Sequence, residues 1–173
     1  MTSTENTAKR SRQIKLLVLT GLFTAIIYVL TAYLHVPTIK GYVHIGDGII
    51  FLAASILPTP YAVFAGAIGG ALSDALSSYY IWIPATLIIK GLTAFFFSAK
   101  QEKIICKRNI LALIPALILC VGGYGLYSGI IIYNNIIAGF ADAFANTMQI
   151  ATSTILYVLL GLALDKIGFK KSI

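Results

Sequence analysis

Six long apolar stretches separated by short polar or turn-rich links set the pattern of this chain. The first covers 14–34, and at ~1.5 Å of rise per residue it is long enough to cross a ~30 Å hydrocarbon layer as a helix. The second, 42–57, is broken by glycines at its start and closed by Pro58 and Pro60. The same pattern predicts helices over 61–77, 83–99, 110–133 and 136–164. The fifth of these carries Gly122, Gly123, Gly125 and Gly129, which predicts a bend or a close helix contact. The expected fold class is an all-α membrane protein, a six-transmembrane-helix bundle, and one substrate-binding domain over residues 1–173.

Composition agrees with a lipid environment. Hydrophobic residues make up 58% of the chain and charged residues 11%, against ~25% charged in soluble domains. Mean hydropathy is +0.89. Residues 1–13 form a polar tail, and the apolar stretch behind them is longer than a signal-peptide core, so it reads as a retained helix.

Charge sets the orientation. Lys9, Arg10, Arg12 and Lys15 precede helix one. Lys100, Lys103, Lys107 and Arg108 link helices four and five, and Lys166, Lys170 and Lys171 end the chain. With six spans these three segments share a side, which holds eleven of the thirteen basic residues. The positive-inside rule then expects both termini in the cytoplasm, with Lys40 outside and Lys90 within a helix. The net charge of +7 is thus a matter of topology, and nucleic acid is not an expected partner.

Several enzyme classes find no support. HExxH, GxSxG and GxxxxGK[ST] are missing from the sequence, so metalloprotease, serine-hydrolase and P-loop ATPase chemistry are not expected. Cys106 and Cys120 make no disulfide framework, and His35 and His44 have no metal-ligand spacing. No cofactor and no metal is expected.

The polar residues that remain gather on the outer side of the expected topology. Asp47 opens the helical part of helix two, Asp74 lies near the outer end of helix three, and Lys90 lies early in helix four. Asp142, Asn146 and Gln149 occupy the first half of helix six. Each charge placed in hydrocarbon costs at least ~2.5–3.5 kcal/mol on insertion scales, so such groups face a bundle interior or a wet cavity. Asp74 and Lys90 fall at similar depth on consecutive helices, where they either form a structural ion pair or contact a ligand. Tyr42, Tyr79, Tyr80, Trp82 and Tyr124 supply aromatic faces that serve either as interface anchors or as a wall for a planar ligand. The long loop 34–46, with His44, is a candidate lid.

Two helix faces carry small residues. Ala62, Gly66, Gly70 and Asp74 recur every four residues on helix three, which favours tight packing inside the bundle. Gly21 and Ala25 form a second such pair on helix one, suited to internal packing or to docking another membrane protein.

Three segments carry a resemblance: GYVHIGDGIIFLAA at 41–54, GGALSDALSSYY at 69–80, and P-x-T-x-I-I-K-G at 84–91. In this order they resemble the substrate-binding S components of energy-coupling factor (ECF) vitamin transporters, in the riboflavin-type branch. The resemblance implies a cell-membrane, multi-pass prokaryotic protein that captures a water-soluble vitamin or precursor at the extracellular face. It implies uptake driven by partners, namely a transmembrane scaffold subunit and two cytoplasmic ATPases. The candidate ligand residues are then Tyr42, His44, Asp47, Asp74, Tyr79, Tyr80, Trp82, Lys90, Tyr124, Asp142 and Asn146. Gly21-x-x-x-Ala25 stands where the family carries an Ala-x-x-x-Ala docking motif. Carboxylates outnumber Lys90 in this set, which favours a neutral or weakly cationic ligand; riboflavin, a pyridoxine-like compound and a pyrimidine all remain open. The alternative is a stand-alone ion-coupled secondary transporter, which six helices without an evident internal repeat make less economical.

Overall fold

The computed structural model describes residues 3–38 and 41–172; Lys40 lies outside the described residues. It is 79% helical, which places it in the all-α class. The first helix, α1 (Ser3–Tyr33), begins well before residue 14. Glu5, Ala8, Lys9 and Arg10 are good helix formers, and propagation from an established apolar helix needs no new nucleus. The polar tail is therefore an exposed extension of α1.

The chain then makes a small antiparallel hairpin, β1 (His35–Pro37) and β2 (Tyr42–His44), pairing His35 with His44 and Pro37 with Tyr42. Residues 42–44, expected in helix two, thus belong to a strand. Helix α2 (Asp47–Ile56) starts only after Gly46, whose missing side chain leaves room for Thr31 Oγ1 and the backbone of Ile27. All ten residues of α2 are buried. A helix this short, ~15 Å, is held because protein rather than lipid surrounds it. Leu57 is extended, as the residue before a proline tends to be.

Helix α3 (Thr59–Leu76) has Pro60 in its first turn, where the lost N–H has no partner to miss. It ends with Tyr79 N–H bonded to Asp74 O at 2.9 Å around Ser78, at φ 66°. That is a Schellman-type stop with serine where glycine is usual. A single 3-10 turn, Tyr80–Trp82, leads into α4 (Ile83–Phe96). The fifth rod, α5 (Lys107–Ile132), contains two widened turns, Leu119–Gly123 and Ser128–Ile132. The sixth, α6 (Ile136–Lys166), breaks after Gly139 and resumes at Ala143.

Helix α3 is the centre of one packing layer, with α1 on one side and α4 on the other. A Cβ on Gly69 would lie 2.9 Å from Ile27 Cβ on α1, and one on Gly70 would lie 2.8 Å from Thr86 Cγ2 on α4. The Gly66–Gly70 ridge therefore packs inside the chain. The glycines of α5 divide. Gly122 is open, whereas Gly125 and Gly129 let Gly139 of α6 approach until their backbones touch.

Three helices are long and apolar enough to cross a membrane, Glu5–Tyr33, Lys107–Ile132 and Ile136–Lys166; Asp47–Ile56 and Tyr80–Phe96 are shorter apolar helices. Many large apolar side chains face outward, among them Val18, Leu22, Phe95, Ile118 and Leu159. Such a surface in water would be an aggregation hazard, and against lipid it is at home.

The end of the bundle where α2 stops is closed by its own polar groups. Phe51 stacks on Phe97 at 5.0 Å with Tyr157 edge-on to both. Tyr157 Oη donates to Ile104 O at 3.0 Å and lies 2.9 Å from Ser55 Oγ. Asn109 accepts from Ser98 N–H and donates to the carbonyls of Ser98 and Ile104. Asp165 accepts the N–H groups of Ile104 and Ile105 at 2.7 and 3.0 Å. Lys170 Nζ donates to the carbonyls of Ala99 and Gln101. The link between α4 and α5 is thus clamped from three helices.

Candidate functional site

At the opposite end the elements leave a gap. An open cavity lies between the hairpin and the adjoining ends of α1, α3, α4, α5 and α6. Thr31 of α1 and Thr38, Gly41, Tyr42 and His44 of the hairpin region form its roof side; Asp74 of α3, Trp82 and Thr86 form one wall. Tyr124 and Ser128 of α5 and Gly139, Asp142, Asn146 and Gln149 of α6 form the other.

Beneath the cavity lies a buried ion pair. Lys90 Nζ sits 2.7 Å from Asp47 Oδ1 and donates to Oδ2 at 2.9 Å, both side chains being buried. Asp47, not Asp74, is therefore the partner of Lys90. The expectation compared only the consecutive helices α3 and α4, while α2 lies against both and brings its first turn to the same depth. Gly70 contributes by leaving space for the Lys90 stem, whose Cγ would be 3.2 Å from a Cβ there. Gln149 joins the pair to the hairpin: its Nε2 donates to Asp47 Oδ2 at 2.7 Å, and its Oε1 accepts His44 N–H at 3.2 Å. Lys90 Nζ also lies 5.2 Å from the centroid of the Tyr124 ring, within cation–π range.

Asp74 has a different setting. Tyr42 Oη donates to its Oδ1 at 2.6 Å and stands 3.3 Å from Ser73 Oγ. Its Oδ2 is buried without a well-aligned hydrogen-bond partner among the described residues, and the Thr86 hydroxyl interacts with the carboxyl. A buried acceptor left in this state costs about 1–3 kcal/mol, more if charged. The Tyr42 ring is packed by Tyr79 at 4.6 Å and by His35 at 4.8 Å, and Trp82 meets Tyr124 and Tyr127 at 5.7 Å.

His44 Nδ1 accepts the N–H of Gly46 at 3.1 Å, so a neutral ring carries its proton on Nε2. Burial in the hairpin is the largest influence and pushes this imidazole down to about 3; Asp47 opposes, and Lys90 and His35 add to the lowering. His44 is accordingly neutral near pH 7 and offers the cavity a donor without a charge.

Of the eleven candidate ligand residues, the cavity brings together Tyr42, His44, Asp74, Trp82, Tyr124, Asp142 and Asn146. Asp47 and Lys90 lie under it as a buried pair. Tyr79 stands behind Tyr42. Tyr80 is 64% exposed and outside the lining, because the 3-10 turn rotates it away from Trp82. Gly21 and Ala25 are exposed on α1, and nothing lies within 4 Å of a Cβ placed on Gly21.

Sequence reasoning passed over Thr31, Thr38, Gly41, Thr86, Ser128 and Gly139 as lining residues, and placed Gln149 among the outer polar groups without naming it as a ligand residue. Two had a signal. Gln149 follows Asn146 by three and Asp142 by seven, a polar stripe on one helix face, and Thr86 precedes Lys90 by four. The others are neutral residues that become part of a site only through the turn and the broken helices.

Among the described residues no group of three or more His, Cys, Asp or Glu side chains is placed to hold a metal ion. The family model described as ECF-type riboflavin transporter, S component, matches residues 11–166. Among curated proteins, none matches the chain.

Proposed function

Because the chain belongs to the family of ECF-type riboflavin transporter S components, we propose that it captures a water-soluble vitamin or vitamin precursor in the cavity beneath the hairpin. This family is a transporter component and not an enzyme family. The observation that carries the reading is an open cavity lined by Tyr42, Asp74, Trp82 and Tyr124, in which one oxygen of the buried Asp74 carboxyl is held by Tyr42.

In this reading the chain is one domain of six membrane-crossing helices, both termini are cytoplasmic, and the cavity opens outward. The concentration of Lys and Arg at the end opposite the cavity supports that orientation. The hairpin acts as the lid, Trp82 and Tyr124 face the planar part of the ligand, and His44, Asp142, Asn146 and Asp74 fix its polar edge. Energy comes from elsewhere: a transmembrane scaffold subunit and two cytoplasmic ATPases complete the transporter. The open Gly21–Ala25 face of α1 supports docking to that scaffold, since small residues let another helix approach closely.

Uptake into proteoliposomes tests this directly. Vitamin accumulation is expected only when the scaffold and ATPases are supplied with ATP. Accumulation by this chain alone under an ion gradient would overturn the proposal in favour of a secondary transporter. Gly21→Leu and Ala25→Leu should keep ligand binding and lose co-purification with the scaffold.

A further inference from the structure

Gln149 lines the cavity, and both ends of its buried amide are taken up within the chain. Nε2 donates to Asp47 Oδ2 at 2.7 Å, with a weaker contact to Cys120 Sγ at 3.6 Å, and Oε1 accepts His44 N–H at 3.2 Å. One orientation of the amide satisfies both strong bonds: the NH2 end has to face the carboxylate and the carbonyl the main-chain N–H. Close packing below fixes the distance to be bridged, since a Cβ on Gly48 of α2 would lie 2.6 Å from Ser153 O of α6.

The hairpin needs such a tie. Each of its strands has three residues, and a two-stranded hairpin by itself is marginally stable at best. Its turn end meets the opposite wall, where a Cβ on Gly41 would lie 3.7 Å from the Trp82 ring. The hairpin thus reaches across the cavity, from a hydrogen bond on α6 to a ring contact in the turn before α4.

We propose that Gln149 is a positioning residue: it latches β2 to the Asp47–Lys90 pair and so sets how readily the hairpin lifts from Trp82 to open the cavity. This rests on the capture reading above, from which it takes the hairpin as lid. The buried pair gains a role in the same step. Lys90 holds the Asp47 carboxylate, the carboxylate holds the amide, and the amide holds the strand. Lifting the hairpin parts His44 N–H from Gln149 Oε1, so the strength of that bond weights the closed state against the open one.

Trp82 is the single tryptophan of the chain and lines the cavity, so its fluorescence reports access without a label or a ligand. Collisional quenching by acrylamide is measured on the full-length chain in detergent, with no vitamin added. Gln149→Leu removes both bonds at similar volume, and Gln149→Asn keeps an amide that is a methylene too short to span both. Each should raise the Stern–Volmer constant at least about 2-fold over the unmodified chain. Asn109→Ala, which loosens the opposite end of the bundle, should leave it unchanged. Unaltered quenching in the folded Gln149 variants would overturn the latch, as would an equal rise in Asn109→Ala, the mark of general loosening. If neither Gln149 variant folds, the residue belongs to the core and the proposal fails as well. Because no ligand takes part, each of these failures leaves capture standing, and capture fails separately if proteoliposomes with scaffold, ATPases and ATP take up no vitamin.

Discussion

The two ends of the bundle use the same kinds of residue to opposite effect. At the far end, Asn109, Tyr157, Asp165 and Lys170 spend their polar atoms on backbone groups of the α4–α5 link. At the cavity end, Asp74 leaves an oxygen without a well-aligned partner, and neutral His44 lines an opening. Buried polar groups normally find partners, and of the exceptions among the described residues (His35 Nδ1, Asp47 Oδ1, Asp74 Oδ2 and Tyr133 Oη) Asp74 belongs to the cavity lining. The Asp47–Lys90 pair stands between these two cases. Its two charges pair with each other, and it lies directly under the site.

The sharpest way to break this contrast is to remove Lys90. Lys90→Met should destabilise the fold by about 3–5 kcal/mol, because it strands the Asp47 carboxylate in the interior. Adding Asp47→Leu should restore most of that loss, since an apolar replacement of both partners removes the stranded charge. Thermal unfolding in detergent reads both. If the single variant stayed stable and merely lost ligand, the pair would belong to the cavity instead.

Asn109→Ala tests the other pole. It deletes three hydrogen bonds around the α4–α5 link and should lower stability by about 2–3 kcal/mol, without altering the ligand affinity of the molecules that remain folded. A change of affinity there would show that the two ends are coupled.

The smallest effect is expected at Ser78. Replacing it with glycine relieves the left-handed backbone at φ 66° and should raise stability by about 0.5 kcal/mol, the relief exceeding the added chain entropy by little. Ligand affinity should be unaltered, though the carbonyl of Asp74 anchors that turn.

The sequence was readable wherever a physical rule acts over a short distance. Pro60 and Pro84 mark the first turns of α3 and α4, and the small residues of α3 face its neighbours as their four-residue spacing requires. The buried charges of Asp47, Asp74 and Lys90 lie at the same end of the bundle as the cavity. What escaped were relations between distant segments. Lys90 and Asp47 are 43 positions apart, and only the placement of α2 joins them. Residues 42–44 are too few to show the alternation of a strand, and they sit beside an apolar run that masks the hairpin. The interruption of α6 after Gly139 falls inside a nearly continuous apolar stretch, where composition carries no mark of it.

That interruption has a mechanical consequence. With Gly139 seated against Gly125 and Gly129, main chain rests on main chain, and the Phe140 ring fills the space beside Gly125. The wall holding Tyr124, Ser128 and Asp142 therefore behaves as a stiff plate. In the capture reading proposed above, an arriving molecule makes its room by lifting the two-stranded flap that carries Tyr42 and His44, and traffic is regulated from that side.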